Sequence, residues 1–235
     1  MAFLKNPMFR LTKESWIFHK QAAFLCIRMG IPIALQNALV SVSMIYLQKT
    51  ANSFGDTVMA AYTATMRVEQ LIQQPFSSLS TAVSSFTGQN VGAGKKERIR
   101  ICYRQCIKLA VCFSIIMLIV FLSFSRSIIG IFVTEPEVFS IGGTALKFSA
   151  CFYVFLGTIH VTRGFLNGVG DVNFALINGI AEVVGRIGFA SILIHISFVG
   201  YMAVWGTTCL TWVLTAVMSI IRYINGKWKN KFVCT

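Results

Sequence analysis

From Ile187 to Ile221 the chain runs 35 residues without an Asp, Glu, Lys or Arg. Crossing the hydrocarbon core of a bilayer takes about 20 mostly apolar residues as helix. The run is too long for one crossing and long enough for two, with a break at the turn around Gly200. The rest of the chain follows suit. Only 12% of residues are charged and mean hydropathy is +0.69, whereas an ordinary soluble domain carries about 25% charged residues. A water-soluble fold of this composition would expose too much apolar surface to stay dispersed.

Six helical spans are expected: 29–50, 57–91, 104–125, 143–168, 174–194 and 201–222. The fold class is an all-α membrane protein. An even number of spans returns both ends to one side, and the distribution of basic residues chooses that side. One set of segments holds Lys5, Arg10, Lys13, Lys20, Lys95, Lys96, Arg98, Arg100, Arg104, Lys227, Lys229 and Lys231. The other holds Asp56, Glu135 and Glu137, with Lys49 and Arg126. Both termini are therefore expected in the cytoplasm of a multi-pass plasma-membrane protein. Residues 1–24, where basic and aromatic residues interleave, read as an amphipathic segment on the membrane surface, and residues 225–235 as a basic tail. The net charge of +13 is accounted for by topology and inner-leaflet lipid, and no nucleic-acid partner is expected.

The stretch Gly88–Arg100, GQNVGAGKKERIR, invites a phosphate-loop reading. That template needs a glycine where Gln89 stands and a hydroxyl where Lys96 stands. The stretch reads instead as the cytoplasmic end of the second span, with glycine terminating the helix and basic residues facing the anionic leaflet. The seven cysteines (26, 102, 106, 112, 151, 209 and 234) form no CxxC pair. Cys102 and Cys106 lie one turn apart without a histidine nearby and read as packing residues, so no metal site is expected. No hydrolytic or redox motif occurs, so no enzyme is expected and no cofactor beyond a coupling ion.

Polar groups at membrane depth are expensive and face protein or water. Here they fall on stripes. The first span carries Asn37, Ser41, Met44 and Gln48, with Gln36 and Ser43 beside them. The second carries Tyr62, Glu69, Gln73 and Ser80 on one face and Arg67, Gln70, Gln74 and Ser78 on another. Tyr153, Gly157, His160 and Gly164 align in the fourth, and Asn178, Glu182 and Arg186 in the fifth. Glu182 and Arg186 are spaced for an intrahelical ion pair, either structural or part of a site. His160 is either a hydrogen-bonded interior histidine or a proton carrier. Glu69 has no partner in its own helix, and Arg67, two residues away, points elsewhere. A carboxylate so placed is protonated or paired across helices, which makes it a candidate for a proton- or cation-linked site. Gly88/Gly92 and Gly164/Gly168 have the small-xxx-small spacing of close helix packing. Pro32 and Pro75 interrupt the backbone ladder of the first two spans and are candidate hinges.

Several segments together are familiar: GIPIALQNALVSVS, SFGDTVMAAYTATMRVEQLIQQPFSSLSTAVSSFTGQNVGAG, RGFLNGVGD, AEVVGR and RYINGKWK. From about residue 25 to 231 they resemble the multidrug and toxic compound extrusion (MATE) family. The resemblance implies half of a twelve-helix transporter, the C-terminal of two six-helix lobes around a V-shaped cavity. Cationic or amphiphilic drugs would leave by alternating access in exchange for Na+ or H+. The partner would be the missing N-terminal lobe or a second copy. A half of a lipid or lipid-linked precursor flippase, and a non-transporting interaction fragment, are the alternatives. One departure stands out. Some members carry an acidic coupling residue in the first or fourth helix of this lobe, and here neither helix has one. Glu69 and Glu182 are the acids left at depth, against Arg67, Arg163 and Arg186, with Lys147 near the outer end, so this lobe is a poor trap for a cation. The expected cavity residues are Gln36, Asn37, Ser41, Tyr62, Arg67, Glu69, Gln73, Tyr153, His160, Glu182 and Arg186.

Overall fold

The computed structural model describes residues 19–226 and Trp228, and the described residues are helical throughout, joined by short turns. The segments 1–18, 227 and 229–235, which include most of the expected connector and tail, lie outside them. Among the described residues seven α-helices follow one another: α1 (Lys20–Asn52), α2 (Asp56–Gly92), α3 (Lys96–Ile129), α4 (Pro136–Ala150), α5 (Tyr153–Gly168), α6 (Val172–Leu193) and, after a 3-10 turn at Gly200–Met202, α7 (Ala203–Ile224). Helix is the form that satisfies every main-chain N–H and C=O within one segment, as a lipid solvent demands.

The helices α1, α3, α6 and α7 are long and apolar enough to cross a membrane. The fourth segment differs from its expectation. Residues 143–168 are not one helix. α4 begins earlier, at Pro136 behind Glu135, and gives way after Ala150 to α5, and the two axes are bent by 54°. Taken together the pair is a fifth candidate span. α2 has 37 residues, about 55 Å of helix, but is more polar than the others. Its exposed face runs Thr63, Arg67, Gln70, Gln74, Ser77, Ser78, Thr81 and Ser85, with Leu71, Pro75 and Ala82 among them. The exposed face of α3, by contrast, runs Leu109, Ile116, Ile119 and Leu122.

Two apolar clusters hold the bundle. The larger joins Val68, Ile72, Phe76 and Val83 of α2 to Ala110 and Phe121 of α3, Leu156, Ile159 and Phe165 of α5 and Trp212 of α7. The smaller, at the α1–α2 turn, packs Leu47 and Ala51 on Val58, Ala61, Tyr62, Val138 and Trp205. Trp205 also donates its Nε1–H to Thr65 Oγ1 at 3.1 Å.

α2 and α5 approach closely because α5 presents glycine. A Cβ on Gly164 would fall on the carbonyl oxygen of Ser80, and one on Gly168 would stand 2.6 Å from that of Ser84. Gly88 meets only the Gly168 carbonyl oxygen, at an ordinary 3.6 Å, and Gly92 meets nothing. At the end where α2 and α5 terminate, Gly94 (φ +67°) and Gly170 (φ +78°) adopt left-handed backbone. Each lets the next residue turn back on its helix: Lys95 N–H to Asn90 O at 2.9 Å and Asp171 N–H to Leu166 O at 2.8 Å. Gly88–Arg100 is thus a helix end, a turn and a helix start. Nearby, Arg222 grips Asp171 at 2.7 Å and lies over the Phe174 ring, tying α7 to the start of α6.

Candidate functional site

The largest buried polar assembly lies where α1, α5, α6 and α7 meet. Glu182 of α6 accepts from two guanidinium groups, Oε1 from Arg186 at 2.8 Å and Oε2 from Arg163 of α5 at 3.2 Å. The first contact is the i, i+4 pair that the spacing implied, and the second crosses between helices. Arg163 also donates to Asn178 Oδ1 at 3.1 Å, while Asn178 Nδ2 donates to Ser219 Oγ at 2.8 Å and Thr215 O at 3.2 Å on α7. From α1, Ser43 Oγ receives Arg186 at 2.8 Å, and the Gln36 carbonyl, turned toward Arg163, accepts from its Nε at 2.6 Å. Arg186 is 1% exposed and its Nε has no partner among the described residues.

This assembly forms the floor of an open recess of about 270 Å³. α1 contributes Asn37, Val40, Ser41 and Met44, α2 contributes Gln73, and α5 contributes Leu156, Ile159 and His160 beside Arg163. A second recess of about 330 Å³ shares Val40, Ser41, Met44 and Gln73 and continues toward Tyr62, Met66, Glu69 and Gln70 of α2 and Trp205 and Thr208 of α7. The two form one trough between α1 and α2 with arginines at one end and Glu69 at the other. Glu69 Oε1 is buried beside the Ser149 hydroxyl, and neither these two atoms nor the nearby Tyr153 hydroxyl makes a hydrogen bond of good geometry among the described residues.

Of the residues singled out from sequence, Asn37, Ser41, Tyr62, Glu69, Gln73, His160, Glu182 and Arg186 line this trough, and Gln36 holds Arg163 beneath it. Two stand elsewhere. Arg67 lines a separate surface hollow with Asp56, Thr63 and Phe132, because two residues along a helix turn it away from Glu69. Tyr153 lines neither recess. It is fully buried, with its ring against Phe121 and Trp212. His160 stacks on Phe76, 6.2 Å between ring centres, next to Pro75. α1 and α2 both run as helix through Pro32 and Pro75. Arg163, Asn178 and Trp212 join the assembly without having been placed among the cavity candidates. Among the described residues no group of three or more His, Cys, Asp and Glu is placed to hold a metal.

Comparison with known proteins places this architecture. The Bacillus subtilis probable multidrug resistance protein YpnP is 26% identical over 87% of this chain and 46% of its own length. The Thermotoga maritima probable multidrug resistance protein NorM is 23% identical over 98% of this chain and 50% of its own length. The chain thus spans about half the length of the curated relatives it matches. Among solved structures, an outward-facing multidrug resistance MATE family transporter of the MOP superfamily superposes with TM-score 0.88 at 22% identity, over 97% of this chain and 52% of that one. A Pyrococcus furiosus MOP superfamily transporter, described as having a binding pocket of reverse polarity, gives TM-score 0.87 at 21% identity. The MatE family pattern matches residues 32–198, well over half of the 235 residues. The chain belongs to the MatE family.

Proposed function

We propose that this chain is one lobe, the C-terminal one, of a secondary antiporter that exports amphiphilic small molecules in exchange for Na+ or H+. In this reading α4 and α5 form one broken span, so the chain crosses the membrane six times with both ends in the cytoplasm. The observation that carries the proposal is the trough. It is a polar, partly charged groove in an otherwise apolar bundle, and its α2 edge continues into an exposed polar face that lipid would not solvate. Water or a complementary lobe covers such a face. The relatives are probable multidrug resistance proteins, which favours export over the flippase alternative.

Alternating access would act through the helices that carry the prolines. Each proline removes one ladder bond, freeing the carbonyl of Arg28 in α1 and of Leu71 in α2, and so marks where bending costs least. Pro75 adjoins Phe76, and Phe76 stacks on His160 in the trough wall, so a bend there changes the trough. Glu69 is the coupling residue of this reading, since its unpartnered oxygen has most to gain from a proton or cation. A ligand shifts the two states only through its differential affinity for them.

The test is flux. Proteoliposomes holding this chain fused to the complementary half of the Bacillus subtilis relative, loaded with a fluorescent amphiphilic dye, should extrude it under an imposed sodium or proton gradient. Flux indifferent to both gradients overturns the antiporter reading.

A further inference from the structure

We propose that the Arg163–Glu182–Arg186 end of the trough binds an anionic headgroup, a carboxylate or sulfonate carried on a small aromatic or aliphatic body. That the bound anion is exported rests on the proposed function; that it binds does not.

Charge comes first. Two guanidinium groups bond one carboxylate, Glu182, while Glu69 acts on Arg186 only from the adjoining recess, so the bonded cluster itself holds one more cation than anion, with Arg186 1% exposed and Glu182 6%. A purely structural ion pair needs one cation per carboxylate. A second, uncompensated cation at this depth raises the energy of the empty site, and an incoming anion relieves it. Each Glu182 oxygen already accepts from an arginine, at 2.8 and 3.2 Å, which weakens its pull on other cations.

Donor geometry comes second. Arg186 lines the recess, and its Nε–H, itself buried, has no acceptor among the described residues, so its charge is not fully answered by hydrogen bonds. Arg163 is held at Nε by Gln36 and at Nη2 by Asn178 and Glu182, which leaves Nη1 with the fewest partners, and it keeps 18% of its side chain exposed while lining the recess. An anionic oxygen is the acceptor that such a held, charged donor binds most strongly. The rest of the wall suits an apolar body, with Leu156, Ile159 and Trp212 lining the same recess. Glu69 faces the adjoining recess, so a negative headgroup is held at the arginine end and repelled from the other.

Three probes of one shape and different charge test this on the full chain, purified in an uncharged detergent at low ionic strength: 1-naphthoate, 1-naphthylmethanol and 1-naphthylmethylammonium. Equilibrium dialysis reads their affinities. Naphthoate should bind at least about tenfold tighter than the alcohol, the scale of a charge-assisted hydrogen bond, and the ammonium weakest. Arg163→Gln should erase the preference for naphthoate, with an unchanged helical circular-dichroism spectrum reporting the intact fold. Glu182→Gln should raise the preference, a gain that unfolding cannot mimic. Equal binding of the three, tightest binding of the ammonium, no naphthoate binding at millimolar concentration, or an Arg163→Gln chain that keeps the preference overturns the proposal. Gradient-driven flux of cations by a chain that shows no anion preference would sink this inference and leave export standing. Anion binding without gradient-driven flux would do the reverse.

Discussion

Placing a methyl group on Gly164 tests how α5 is held against α2. The added Cβ would fall on the Ser80 carbonyl oxygen, 2.7 Å from Ser80 Oγ and 2.9 Å from the carbonyl carbon. Two of those three atoms are helix backbone and cannot rotate away. Restoring contact distances of about 3.5 Å requires the helices to separate by about 1 Å. The loss spreads along the interface, since Gly157 packs just as tightly on Phe76 and Gly168 on Ser84. Overpacking a well-filled interior costs about 1–3 kcal/mol, and the immovable backbone puts this site at the upper end. Alanine returns about 0.5–1 kcal/mol through helix propensity, so Gly164→Ala should destabilise by about 2 kcal/mol. Gly188, inside α6 with nothing within 4 Å of an added Cβ, supplies the contrast. Gly188→Ala should gain up to about 1 kcal/mol. The assay is thermal or denaturant unfolding of the purified chain in mild detergent. A Gly164→Ala protein as stable as the parent, or both variants moving alike, would refute the packing argument.

Other outcomes follow from the site and the ends of the bundle. In the assembled transporter Glu69→Gln should abolish sodium- or proton-dependent efflux at normal expression, while Arg67→Gln, in its separate hollow, should leave coupling intact; unchanged coupling in Glu69→Gln removes that residue from the mechanism. Arg222→Ala takes away the cation held 2.7 Å from Asp171 and should cost about 1–2 kcal/mol, since only the Asp171 side of the pair is fully buried, with unfolding as the readout. In a background without the seven native cysteines, a thiol placed by Ser41→Cys should react with a membrane-impermeant maleimide in membranes. One placed by Ile116→Cys, on the apolar face of α3, should not.

Much of this architecture could be read from the chain because two strong signals agree. Run length marks the apolar helices, and the helical period puts Asn178, Glu182 and Arg186 on one face, where the structure has them. The bend between α4 and α5 carries no such signal, since neither proline nor glycine stands at Cys151–Phe152. The packing of Tyr153, Phe121 and Trp212 around it is tertiary. Tyr153 itself misleads for a related reason. In its stripe Gly157 and Gly164 pack on α2, Tyr153 packs on Phe121 of α3 and Trp212 of α7, and only His160 reaches the trough. Arg163 is the residue that spacing within one helix could not find. A signal existed in the hairpin: Arg163 precedes Gly170 by seven residues and Asn178 follows it by eight. Antiparallel helices therefore set the two level, and the structure joins them at 3.1 Å. Arg67 was separable from Glu69 by helix geometry alone, yet its type kept it among the cavity candidates.

The central claim is a chain that threads the bilayer six times and offers its polar trough to a second lobe. Reporter tags at both termini and within the turns at residues 53–55, 131–134 and 195–198 measure that threading in whole cells. The expected result is both tails inside and all three turns outside. Tails on opposite faces, or any of the three turns on the cytoplasmic side, would contradict it.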